Sequence, residues 1–180
     1  NPKNDKITAK NIQGQNTMKL DKFLDSKGKI SEESLRPYAM PMPKQNFSNT
    51  KEFKALFSDT QGKFGFIKTP YKEVRVNMSY AYRHFYDNTY QTNRDNIKSA
   101  FFETFKDPLF IAQNNSKGRD SVYFFKPFLD KDKNVMNLFG IGIDKNGKVD
   151  FKTFYLDNSG ARIREMQKLA DENILYVKKE

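Results

Sequence analysis

The sequence predicts an α+β fold, an antiparallel β-meander packed on a helix and preceded by a short helical extension. Three observations predict it. From Lys63 the apolar residues alternate with period two (Phe64, Phe66, then Val74, Val76) around a turn at Thr69-Pro70-Tyr71. Ile97, Phe101 and Phe105 recur at i, i+4 and i+8, the apolar stripe of an amphipathic helix that opens near Asn93-Arg94 and is closed by Asp107-Pro108. Beyond Pro108, apolar stretches follow one another across short polar turns, the pattern of neighbouring antiparallel strands.

The elements follow in order. Residues 1–16 are polar and rich in Asn, Lys and Gln, and are expected to form a mobile arm. Met18, Leu20, Phe23 and Leu24 fit one face of a short helix ending near Ser26-Lys27-Gly28. Ser31 before Glu32-Glu33 is an N-cap with acidic first-turn residues, and Pro37 ends that element. Pro37, Pro41 and Pro43 make 37–49 an extended connector. Thr50 is expected to cap a helix carrying Phe53, Leu56 and Phe57.

The hairpin from Lys63 to Val76 leads into an aromatic segment, Met78–Tyr90, expected to be helical. After the helix ending at Lys106, strands are expected at Leu109–Ala112, Val122–Phe128, Val135–Ile143 and Lys148–Leu156, with Asp144-Lys145-Asn146-Gly147 as a hairpin turn. A helix within Ala161–Glu172 and a strand Ile174–Val177 close the chain. The expected organisation is an arm, helical extension and connector over 1–62, bracing an α+β domain over 63–180. Bracing follows from Phe53, Leu56 and Phe57, an apolar stripe that needs a partner.

Composition narrows the chemistry. Among 180 residues there is no Cys and a single His, which removes disulfides, thiolate catalysis, Cys-based metal sites and His-rich metal sites. Asp144-Lys145-Asn146-Gly147 lacks the terminal Glu of a calcium loop. No metal and no cofactor are expected. Lys and Arg number 32 against 22 Asp and Glu, for a net charge of +10. The excess is divided between the segments: 11 basic and 7 acidic residues before Lys63, 21 and 15 after. Such a field suits nucleic acid or another polyanion, although a soluble Lys-rich protein from an AT-rich genome would show the same bias. There is no run of about 18 apolar residues, so no membrane partner is expected. A start at Asn1 in place of Met is read as a fragment or processed piece, and oligomeric state is open.

Ile67-Lys68-Thr69-Pro70 leading to Val74-Arg75-Val76, Arg94 at the head of its helix, Phe105-Lys106-Asp107-Pro108-Leu109-Phe110-Ile111, Tyr123-Phe124-Phe125-Lys126-Pro127-Phe128 and Asp150-Phe151-Lys152-Thr153-Phe154-Tyr155 occur in a characteristic order. In that order and spacing, over roughly Gly62 to Val177, the chain resembles the phage-associated branch of the Barnase–EndoU–colicin–RelE nuclease superfamily. The resemblance implies a toxin or phage-effector endoribonuclease that cleaves RNA without metal, by attack of the 2′-hydroxyl on the adjacent phosphate. It also implies a bacterial or phage-encoded protein, cytoplasmic or delivered into a target cell, with an immunity or inhibitor protein as a partner.

Within the resemblance, His84 is the general acid/base, since its unperturbed pKa lies near neutrality. Arg94 and Lys126 are the phosphate-facing cations, Thr153 and Tyr155 the late-strand groups, and Tyr82, Arg83 and Tyr123 contact substrate. Related sequences carry a His in the last motif, where this chain has Tyr155. Each residue has a plainer reading. His84 can be wedged among aromatics, Arg94 can be solvated, and Lys126 can snorkel from an edge strand. Thr153 and Tyr155, which alternation puts on one face, are simply good strand formers. The alternative function is a non-catalytic RNA- or protein-binding module of the same fold, such as a phage accessory protein.

Overall fold

The computed structural model describes residues 19–86, 96–116, 118 and 120–179. Among them the architecture is α+β, with a mixed, largely antiparallel open sheet and short helices. The expected arm, Met18, Arg94 and the start of the expected long helix lie outside the described residues.

Capping side chains fix the helix starts. Ser31 is the N-cap of α1 (Glu32–Leu35), as the sequence predicts, and Ser34 completes a capping box with it. At α2 (Thr50–Ala55) the cap is Asn49, one residue earlier than expected: its side chain accepts from the Glu52 amide at 2.9 Å. Asn77 does the same for α3 (Met78–Tyr86), accepting from the Tyr80 amide at 3.1 Å. The stripe of Ile97, Phe101 and Phe105 is fully buried, but it is carried by a 3-10 turn (Lys98–Ala100) running into α4 (Phe101–Lys106). The expected helix around Phe23 is only a 3-10 turn, Asp21–Phe23, because Leu24 bridges to Ile30. Asp25 then folds the chain between them by accepting from the Lys27 and Lys29 amides. At the other end α5 (Ala161–Gln167) stops short of Glu172.

The strands are β1 (Met40–Pro41), β2 (Thr60–Gln61), β3 (Phe64–Ile67), β4 (Val74–Asn77), β5 (Phe110–Asn114), β6 (Ser121–Leu129), β7 (Val135–Lys145), β8 (Lys148–Leu156) and β9 (Ile174–Val177). The sheet runs β2-β3-β4-β8-β7-β6-β5-β9, with β1 beside β6. The expected meander is present as β5 to β8, all antiparallel. Two pairings are parallel, β4 with β8 and β1 with β6. The antiparallel meander packed on a helix that the sequence predicts is therefore too small.

Its reason is visible in β6, where every residue from Val122 to Phe128 is buried. A strand apolar on both faces needs a layer on each. On one face Phe47, Phe53 and Phe57 join α3, α4 and the inward residues of β3, β4, β6, β7 and β8. Phe101 is the hub of that layer, with Phe53, Phe85, Phe102, Phe105, Phe151 and Phe154 at centroid distances between 5.3 and 5.6 Å. Phe105 lies on Gly140 of β7 so closely that a Cβ there would overlap its ring. On the other face Leu20, Phe23, Ile30 and Leu35 pack with α5 over Phe110, Tyr123, Phe125 and Phe139. The extension thus contributes to both layers, and the boundary drawn at residue 62 falls inside the β2–β3 hairpin turn.

Candidate functional site

The four late-chain residues singled out by the sequence, Tyr123, Lys126, Thr153 and Tyr155, fall into three separate clusters. In the first, α3 lies against β8 with Ala81 and Phe85 in the core and His84 only 5% exposed. His84 Nε2 is 2.7 Å from Thr153 Oγ1. The ring is walled by Tyr80, at 5.5 Å, and Phe151, at 6.0 Å. The Tyr80 hydroxyl donates to the Lys152 carbonyl at 2.8 Å, tying the start of the helix to the same stretch of strand. That stretch is irregular. Ile141 pairs with Thr153 and Gly142 with Phe151, which leaves Lys152 as an extra residue. The insertion resets the alternation, so that Phe151 and Phe154, three apart, enter the same layer. The Thr153 hydroxyl is thereby available to His84.

Tyr155 is not part of this cluster, contrary to the alternation that put it beside Thr153. It belongs to the opposite layer, where it stacks on Phe139 at 6.4 Å. Its hydroxyl accepts from Arg162 Nε at 2.7 Å. Arg162 pairs with Glu165, and Glu165 also accepts from Asn114 and from the Tyr123 hydroxyl. The Arg162 guanidinium lies 5.5 Å from the Tyr123 ring centroid. Tyr123 and Tyr155, selected for different roles, therefore share one network. Burial raises both phenol pKa values, with the Glu165 charge adding to the effect at Tyr123 and the Arg162 hydrogen bond opposing it at Tyr155. Both phenols stay protonated at neutral pH. Burial would also raise Glu165, but the hydrogen bond from Asn114 and the Arg162 charge outweigh it and hold the carboxyl below its ordinary range.

Lys126, expected to face a phosphate, points to the helix side of β6 and is closed off by Asp107. It is 4% exposed, and its Nζ donates to the Asp107 carbonyl at 2.6 Å and to Asp107 Oδ2 at 2.9 Å. Asp107 is the C-cap of α4, so the ammonium sits at the negative end of a helix as well as on a carboxylate. Lys178 reaches the same carboxylate at 2.8 Å. In the sequence Asp107 shows only as a helix stop before Pro108, and nothing there marks it as the partner of Lys126.

Burial pushes the Asp107 carboxyl up, and the two lysines more than reverse this, so its pKa lies below the usual carboxylate value. A depressed pKa contributes stability above the unfolded-state pKa, near 3.9, and loses it as pH falls through the folded value. Asp107→Asn is expected to be less stable than wild type at pH 7. The difference should shrink below about pH 4, where the wild-type carboxyl protonates. Urea titrations at neutral and acid pH check this, and a gap that stayed constant with pH would contradict it.

Of the remaining residues, Arg94 lies outside those described. Tyr82 is half-buried in the Phe47–Phe53–Phe85 cluster, with its hydroxyl 3.3 Å from the Ser48 carbonyl. Arg83 is exposed on the far side of α3. Sequence reading also missed Arg162 and Glu165, whose i, i+3 spacing on a predicted helix was the available signal. Among the described residues no helix is long and apolar enough to cross a membrane. Comparison with protein families, characterised proteins and solved structures finds no match to this chain.

Proposed function

We propose that this protein is an RNA-binding α+β module of the ribonuclease-like class. The observation that carries the reading is uncompensated surface charge. Lys51, Lys54, Lys63, Lys68, Arg83 and Lys106 are exposed, and none is among the ion pairs of the described residues. Six solvated cations on a chain of net charge +10 suit a phosphate backbone. Binding should therefore weaken steeply with salt. Filter binding of labelled RNA between about 50 and 200 mM salt tests this, and salt-independent binding would point to a protein partner. The finer assignment, to the Barnase–EndoU–colicin–RelE type of packing, rests on the residue pattern given above.

A second reading, metal-independent endoribonuclease, is favoured by the contact between His84 and Thr153. In it, His84 moves the proton of the attacking 2′-hydroxyl while Thr153 orients the ring. Lys126 and Tyr155 have no part, since each is engaged elsewhere. Incubation with RNA in EDTA, with products examined for 2′,3′-cyclic phosphate ends, decides between the readings. Cleavage by wild type and its loss in His84→Ala supports the enzyme. Intact RNA together with salt-sensitive binding supports the module.

A further inference from the structure

Among the described residues, the two core layers leave part of the sheet uncovered. On the face opposite α3 and α4, the wing formed by β2, β3, β4 and β8 carries Phe64 and Phe66. Both are half-buried, and neither ring belongs to either core cluster. Strand register sets their neighbours. Phe66 pairs with Arg75, Arg75 with Asp150, and Phe64 with Asn77 and Gln61. Three cations stand over the rings: Arg75 and Lys63 at 4.6 and 5.5 Å from the Phe64 centroid, and Lys148 at 5.4 Å from that of Phe66. Beside Phe66 is a concavity of about 420 Å³ bounded by Lys148, Glu73, Asp59, Thr60 and Gln61.

We infer that this bare face is a stacking platform for single-stranded RNA, with Phe64 and Phe66 receiving successive bases and Lys63, Arg75 and Lys148 meeting the phosphates. The inference rests on the RNA-binding reading above and deepens it. Side chains two apart on one strand face stand roughly 7 Å apart, a step that adjacent unstacked nucleotides can span. Base–aromatic stacking requires only a ring face and is indifferent to sequence. Bases also stack on guanidinium planes, so Arg75 over Phe64 extends the platform without blocking it. Arg75 and Lys148 are paired with Asp150 and Glu73. Arg75 grips Asp150 through Nε and Nη2, at 2.8 and 3.2 Å, and keeps Nη1 for a phosphate. Lys148, its side chain 45% exposed, is in a weak surface pair from which a phosphate can take it over. Duplex RNA hides its base faces and gains nothing from such a surface.

The test is fluorescence anisotropy with a labelled oligouridine and with the same strand annealed into a duplex. Wild type is expected to prefer the single strand. Phe64→Leu/Phe66→Leu, which keeps the apolar contacts and removes the rings, is expected to bind it about tenfold or more weakly with an unchanged salt slope. Lys63→Ala/Lys148→Ala is expected to lower the slope. Photocrosslinking of a 5-bromouridine oligomer to wild type gives a readout that needs no variant, and the crosslinked peptide should contain residues 64–66. Undiminished binding by the Leu variant, preference for the duplex, or crosslinks confined to other peptides would overturn the platform while leaving RNA binding intact. Failure of wild type to bind any RNA would overturn both.

Discussion

A chain shortened to begin at Gly62 is expected not to fold cooperatively. The deletion removes Leu20, Phe23, Ile30 and Leu35 from one layer, and Phe47, Phe53 and Phe57 from the other. It also removes β1, which pairs with β6, and β2, which pairs with β3. Each of these side chains stabilises the fold by about 1.5–3 kcal/mol when fully buried. Their combined loss is of the same order as the whole stability of a typical domain, about 5–15 kcal/mol. Thermal denaturation followed by circular dichroism should show no sharp transition. A cooperative melt near the wild-type midpoint would mean that the extension is dispensable, and the bracing role would be abandoned.

Phe101→Ala is expected to cost about 3–5 kcal/mol, the range for emptying a fully buried aromatic site. The upper part of that range is expected because the surroundings cannot collapse. Six rings border Phe101, and rings are rigid. Phe105, one of the six, is already pressed against the backbone at Gly140. Urea unfolding measures the change directly. A loss below about 1.5 kcal/mol would show that the aromatic layer relaxes into the gap and that the hub description is wrong.

The contrast between what local sequence specifies and what it does not is sharp in this chain. The turn at Asn146-Gly147 is readable because both residues adopt positive φ, 52° and 82°, which suits Asn and Gly. Ile174–Val177 reads correctly as a strand because its β-rich run follows a polar break. The parallel pairing of β4 with β8 has no such signature. It joins residues 75 apart, Val74 to Val149, through only two register pairs. The ion pairs Lys72–Asp144, Lys148–Glu73 and Arg75–Asp150 that reinforce it are equally remote in sequence. Strict alternation fails at Tyr155 for a related reason, since the register shift at Lys152 makes the stretch Phe151–Phe154 irregular. For the candidate site, residue chemistry was enough to select His84 and Thr153, but their contact needed the bulge. Lys126 was read as open because nothing near it in sequence announces Asp107 as its partner.

The β4–β8 seam also imposes a schedule on synthesis. The edge of β4 that β8 will cover is made when Asn77 is added, yet β8 begins only at Lys148. At 5–20 residues per second, translation leaves that edge unmatched for roughly 4–14 s. Over the same interval the meander strands, each adjacent to the next in the chain, can pair almost as they appear. Strands β2 to β4 are thus made before every strand of the meander, yet join it only when its final strand, β8, is made. An open strand edge is a template for pairing with another chain. Crowding among nascent copies would therefore be felt first at β4.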